Sequence, residues 1–144
     1  MSIAREIAAR DFTKISIEEV YEKVTPQTST TGQIDFDVLS QAIEHYTVDQ
    51  TADRTVNFRG DSSTSLDAAM EVDTSVTCSL IMQQGATAYY LNAYQIDGAS
   101  VTPKWSGGSA PTGGNASSLD VYTFTIIKTA AATFTVLASQ SQYA

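Results

Sequence analysis

Apolar and polar residues alternate along most of the C-terminal half of the chain. Within 119–127, Tyr122, Phe124 and Ile126 fall on one side, and threonines fall on the other. Because successive side chains of a strand point to opposite faces, this period of two predicts a strand with one buried and one wet face. We place Phe124 in the core on this ground. Similar runs occupy 88–98, 101–105 and 133–137.

The upstream chain carries shorter runs with the same alternation, at 33–39, 42–48, 53–60 and 76–82. The inward positions of these runs are Ile34, Phe36, Val38, Val56, Phe58, Val76, Cys78, Leu80 and Met82. The segment 16–24 fits a helix or a strand; we favour a strand, which Thr25-Pro26 would end. About eight strands at spacings of roughly 8 to 12 residues predict a mainly β fold, an antiparallel β-sandwich or jelly roll. Residues 65–70 are expected to form a helical turn or a bend.

The N-terminal residues predict a short helix that needs a partner. Ile3 and Ile7 share one helical face over 2–10, and Ser2 can cap it. Since so short a helix is marginal alone, we expect it to dock on another chain, although a frayed terminus is the alternative. The expected organisation is an N-terminal anchoring segment, 1–30, followed by a β-sandwich domain, 31–144. Ile3, Ile7 and Phe12 are the candidate anchoring residues.

One turn and one loop stand out in the C-terminal half. Asp97-Gly98 suits a tight turn with positive φ. The stretch 106–118, rich in Gly and Ser and containing Pro111, predicts a long exposed loop. Lys104 and Trp105 before this loop, with Asn115 inside it, are candidates for surface recognition, because aromatic rings stack on sugars. The interpretation favoured for Trp105 is that it closes one end of the sandwich.

Composition limits the functions that the chain can have. The hydrophobic fraction of 42% supports a real core, and 19 Thr and 16 Ser suit a soluble sheet. A net charge of −8 without a basic cluster argues against nucleic-acid binding. The chain has no run of about 18 apolar residues, so its sequence does not predict a membrane-spanning helix. Cys78 is the only cysteine, which excludes an internal disulfide and favours synthesis in a reducing cytoplasm.

Residues with catalytic or metal-binding chemistry are few. His45 is the only histidine, so the chain alone cannot provide two imidazoles for a metal, and no nucleophile elbow surrounds any serine. Asp35 and Asp37 share a strand face, and several aspartates follow from which calcium ligands could be drawn. No Asp-x-Asp-x-Asp-Gly loop is present, however, and solvated strand faces and turns explain these residues better. We therefore expect a protein that is not an enzyme and needs no cofactor.

Several segments in order resemble one group of proteins. These are Thr55-Val56-Asn57-Phe58-Arg59-Gly60, Ala88-Tyr89-Tyr90, Gln95-Ile96-Asp97-Gly98, Lys104-Trp105-Ser106-Gly107-Gly108 and Asp120-Val121-Tyr122-Thr123-Phe124-Thr125. They are similar to C-terminal β domains of tail-fibre-like and head-decoration proteins of tailed phages, notably phages of marine bacteria, cyanophages included. The resemblance spans about residues 33–144.

This resemblance implies a non-enzymatic virion protein, made in the host cytoplasm and assembled as a homotrimer. Docking on a capsid or tail protein would stabilise the short helix expected in the N-terminal segment. Since the chain lacks the repetitive shaft of a full tail fibre, a short fibre or a capsid decoration is favoured. The alternative is a carbohydrate- or receptor-binding module at a tail-fibre tip, with a host surface glycan as its ligand.

Overall fold

The computed structural model describes residues 20–144, in which the protein is mainly β. The expected N-terminal helix and the candidate anchoring residues Ile3, Ile7 and Phe12 lie outside these residues. The elements are β1 (Val24–Gln27), β2 (Ile34–Asp37), β3 (Ile43–Tyr46), β4 (Arg54–Arg59), α1 (Leu66–Ala69), β5 (Ser75–Gln83), β6 (Leu91–Ile96), β7 (Ala99–Ser100), β8 (Lys104–Trp105), a 3₁₀ turn (Ser106–Gly108), β9 (Leu119–Ala130) and β10 (Thr133–Tyr143).

The strands form two sheets, and the first six strands alternate between them. One sheet has six strands in the order β1-β3-β5-β9-β10-β8, and the other has four in the order β2-β4-β6-β7. Neighbours β1, β3 and β5 run parallel, as do β2, β4 and β6. The chain therefore winds through three turns of a coil, in which a strand of the opposite sheet provides the crossover between parallel neighbours.

The sheets are mixed, whereas the sequence predicted antiparallel pairing. Antiparallel pairs join β5 to β9, β9 to β10 and β6 to β7. The other pairs are parallel, including β8 with β10, and a jelly roll is not confirmed. Alternation along a strand reports which face is buried, but it carries no information on the direction of the neighbouring strand.

Side chains from both sheets meet in one apolar core. Phe124 is fully buried, and its ring centroid lies 4.9 Å from that of Phe58 in the opposite sheet. Of the inward positions expected from alternation, Val38 and Val76 are half-buried and pack against this core, and the others are buried. The assignment of strand faces from the sequence is thus confirmed.

The start of the first sheet differs from expectation. Thr25 and Pro26 do not end a strand but lie within β1, which pairs only with β3. Proline is tolerated there because an edge strand can leave one side of its backbone without ladder hydrogen bonds. Strand β1 falls within the segment assigned to the N-terminal anchor, and it belongs to the six-stranded sheet.

Two predicted local features are present. Asp97 and Gly98 have φ of 51° and 78° and join β6 to β7 in a tight turn. The helical turn expected at 65–70 is present as α1, and Ser65 caps it by accepting a hydrogen bond from the backbone N–H of Ala68. The Asp97 carboxylate also accepts hydrogen bonds from the backbone N–H of Leu66, at 2.6 Å, and of Asp67, at 3.0 Å. The turn therefore holds the helix in place.

Candidate interaction surface

Of the two sheets in residues 20–144, the six-stranded sheet is the wider one, and its outer face has a regular arrangement of side chains. Strand register aligns its outward side chains in five rows across the sheet. These rows are Gln83–Leu119–Tyr143, Pro26–His45–Ile81–Val121–Ser141, Val24–Ile43–Ser79–Thr123–Ser139, Thr77–Thr125–Leu137–Lys104 and Ser75–Ile127–Thr135. We call these positions the uncharged face. Lys104, at its edge, is its only permanently charged side chain.

The uncharged face carries no Asp or Glu, although the chain has 16 acidic residues and a net charge of −8. The outer face of the four-stranded sheet is different. There the guanidinium group of Arg59 lies 3.1 Å from the Asp35 carboxylate and 2.6 Å from that of Asp37. A hydrogen bond from Asn57, with smaller contributions from Gln33 and Arg59, holds the pKa of Asp35 below its usual value. Charge is thus concentrated away from the six-stranded sheet's outer face.

Aliphatic and hydroxyl side chains make up most of the uncharged face. Val24 is 48% exposed, Leu137 43% and Tyr143 60%. Hydroxyl groups meet across strands, with Thr77 Oγ1 3.3 Å from Thr125 Oγ1. Covering such side chains costs less than covering charged ones, because a buried hydroxyl needs only a hydrogen-bond partner and an aliphatic group needs none. A broad surface of this kind is typical of a contact with another protein.

A shallow groove of about 450 Å³ lies at the β8 end of the uncharged face. Lys104, Thr125 and Leu137 line it, together with Trp105. Lys104 is exposed, but the Trp105 ring is half-buried, with its centroid 5.4 Å from that of Tyr94 and 6.3 Å from that of Phe124. These contacts agree with the interpretation that Trp105 packs against the core.

Asn115 lies apart from this groove and has a structural contact. Its backbone N–H and its Nδ2 donate hydrogen bonds to the buried Asp120 carboxylate, at 3.0 Å and 2.6 Å. These bonds satisfy a carboxylate that β9 places on its inner side, and they fix the end of the 106–118 loop. The structure therefore brings Lys104 and Trp105 together but not Asn115.

A buried polar network that the sequence did not reveal lies between the sheets. Tyr46 donates a 2.7 Å hydrogen bond to Glu44, and the Arg54 guanidinium stacks 4.6 Å from the centroid of the Tyr46 ring. Arg54 also donates to the backbone oxygen of Gly32, at 2.8 Å, and to that of Ser29, at 3.2 Å. Burial, only partly offset by the Tyr46 hydrogen bond, raises the pKa of Glu44.

The signal for this network was weak. Glu44 and Tyr46 are two residues apart and must share a strand face, but isoleucine and histidine beside them gave no reason to choose the inward one. The network fastens the turn before β2 to the start of β4, so it supports the coil.

Reactive groups are sparse in the described part of the chain. Within 20–144, no group of three or more His, Cys, Asp or Glu residues is placed to hold a metal ion. Asp35 and Asp37, two of the aspartates considered for calcium, are paired with Arg59. Burial raises the pKa of the Cys78 thiol to about 12. The helix within residues 20–144 is too short to cross a membrane.

Comparisons of the chain with protein-family models, with curated proteins and with solved structures return no match.

Proposed function

We propose that this chain is a structural protein of a tailed-bacteriophage virion, made in the host cytoplasm and acting without catalysis. In this proposal it is a homotrimeric short fibre or capsid decoration. Residues 1–30, including Ile3, Ile7 and Phe12, would anchor it to a capsid or tail protein. The ordered motifs between Gln95 and Thr125, described above as a resemblance to phage β domains, support the choice of a virion.

The uncharged face is the observation that carries the proposal. A protein that works alone in water gains solubility from charge on its surfaces, and this chain has charge in excess elsewhere. Leaving one broad sheet face without carboxylates is useful when that face is covered in an assembly. A particle subunit has such a permanent covering.

The packing of the two sheets is also suited to a particle. We propose that they form a β-sandwich, in which aromatic contacts such as Phe58 with Phe124 and the Arg54 network provide cohesion. This packing includes no disulfide within one chain, since Cys78 is the only cysteine. The protein would then be stable when made in a reducing cytoplasm and later exposed on a particle.

Immunogold electron microscopy of the purified phage that encodes the chain tests this function. Antibodies raised against residues 20–144 should place gold at one fixed position on each particle. That position distinguishes a head decoration from a tail fibre. Finding the chain only in the soluble fraction of the lysate, with unlabelled particles, would rule the proposal out.

The groove beside Lys104 favours a second candidate function, the binding of a host surface glycan at a fibre tip. Lys104 is exposed and can donate hydrogen bonds to sugar hydroxyls, while Thr125 and Leu137 form the wall. A glycan array probed with wild type and Lys104→Ala tests it, with exposed Lys23→Ala as the matched control. Binding that Lys104→Ala reduces and Lys23→Ala leaves intact supports the function; an array without binding refutes it.

A further inference from the structure

We infer that the uncharged face is the surface through which copies of this chain contact one another. The inference rests on the proposed function, since it names the partner of the surface that carries that proposal. The occupant to which it commits is another copy of the same chain.

Charge distribution is the first argument for a second copy. Each copy carries a net charge of −8, so two copies repel unless their carboxylates stay apart. Contact through the four-stranded sheet would bring Asp35 and Asp37 of each copy close together. Contact through the uncharged face keeps them a full two-sheet thickness away, more than about 10 Å on each side and beyond the Debye length of about 8 Å at physiological salt.

The size of the face is the second argument. Six strands spaced about 4.8 Å apart span roughly 24 Å, and five rows spaced about 6.8 Å apart span roughly 27 Å. The product is about 650 Å² for each copy, close to the roughly 800 Å² that each partner contributes to a standard stable interface. The face is therefore large enough for a specific contact.

Chemical matching is the third argument. A strongly charged partner would find no complementary charge on the face apart from Lys104 at its edge. Another copy provides a surface of the same hydroxyl and aliphatic character, and three such faces can meet around a common three-fold axis at about the 10 Å spacing of packed sheets. Thr123, half-buried at the centre of the face, would lie inside the contact.

Sedimentation of the full chain with charge variants at Thr123 tests the inference. Wild type should sediment as an oligomer, with a mass at least twice the 15.4 kDa of one chain. Thr123→Glu and Thr123→Lys should each raise the dissociation constant by on the order of 100-fold, because an unpaired charge is costly in a buried contact. Mixing the two variants should restore association. Thr55→Glu is the matched control, since Thr55 is half-buried on the outer face of the other sheet; it should behave as wild type.

Cross-linking gives a second measurement that does not depend on the charge variants folding. Thr123→Cys keeps nearly the same side-chain volume, and the native Cys78 is buried. A short bismaleimide should link copies of Thr123→Cys and should not link Thr55→Cys. Monomeric wild type, a Thr123→Glu variant that associates like wild type, or equal cross-linking at both positions would overturn the inference. Particle labelling can still succeed in each of those cases, so failure of the inference is distinguishable from failure of the proposed function.

Discussion

The ammonium group of Lys128 lies 2.8 Å from the carboxylate of Asp67, joining the inner side of β9 to helix α1. Lys128 Nζ also donates hydrogen bonds to the backbone oxygens of Asp67, at 2.5 Å, and of Met70, at 2.9 Å. The side chain is 8% exposed, so these partners replace its hydration. One lysine therefore satisfies the carbonyl end of the helix and fixes it on the sheet.

Replacing Lys128 should destabilise the fold. Lys128→Met removes the ammonium group, so the backbone oxygens of Asp67 and Met70 lose its hydrogen bonds. The expected cost is roughly 2–4 kcal/mol in the free energy of unfolding. Urea denaturation measures this loss. Lys104→Met is the control: Lys104 is exposed, and its change should stay within about 0.5 kcal/mol. Equal effects of the two substitutions would contradict the role given to Lys128.

The stability contribution of Glu44 should fall as pH rises. Because burial raises its pKa above the ordinary value of 4.5, folding favours the protonated form. That contribution is complete below the unfolded-state pKa and is lost as pH rises through the folded-state pKa. Glu44→Gln should therefore gain stability relative to wild type between about pH 4 and about pH 8.

Asp35 provides a control of opposite sign for this titration. Its pKa is lowered, so its contribution is present above the unfolded-state pKa and is lost as pH falls. Asp35→Asn should accordingly lose stability relative to wild type as pH rises. Denaturation curves of wild type and both variants at about pH 4 and about pH 8 test these expectations. If the free energies of unfolding of Glu44→Gln and wild type change in parallel with pH, the raised pKa assigned to Glu44 is wrong.

Phe124 should contribute much more to stability than the threonines beside it. Phe124→Ala opens a cavity among the rings of Phe58, Tyr94 and Trp105 and should cost roughly 3–5 kcal/mol. Thr125→Ala, one residue along on the outer side of the same strand, should cost less than about 1 kcal/mol. Thermal and urea unfolding give both values. A loss under about 1 kcal/mol for Phe124→Ala would mean that the face assignment fails.

Two adjacent glycines in the 106–118 loop should respond differently to alanine. A Cβ on Gly114 would overlap the backbone oxygen of Tyr89 and lie 3.0 Å from Asp120 Oδ2, whereas a Cβ on Gly113 meets nothing within 4 Å. Gly114→Ala should thus cost roughly 1–3 kcal/mol, and Gly113→Ala should be neutral. Differential scanning calorimetry compares the two, and similar melting temperatures would argue against close packing of this part of the loop.

The sequence predicted burial well because alternation is a local signal. Phe36 and Tyr122, for example, are buried as predicted. Each belongs to a series of apolar residues spaced two apart, and this spacing places them on the same face of a strand. The Asp97-Gly98 turn and the helical turn at 65–70 could also be predicted, since both depend on neighbouring residues.

Strand pairing and the buried polar contacts could not be predicted from alternation in the same way. Whether β3 lies beside β2 or beside β1 depends on contacts far apart in the chain, and alternation is silent about them. Asn115 looked like a recognition residue because its loop is rich in glycine, yet its partner is the inward Asp120. The arrangement of the uncharged face likewise needed the register of six strands.

The antiparallel arrival of β9 beside β5 ends the series of parallel turns formed by β1 to β6. Each turn of the coil contacts mainly the turns next to it, as in solenoid proteins, and β9 and β10 cover the last turn in the six-stranded sheet. Such a molecule could be lengthened by inserting another turn of the coil before β9. The width of the six-stranded sheet, and with it the reach of the surface it presents, would then increase by one strand for every turn added.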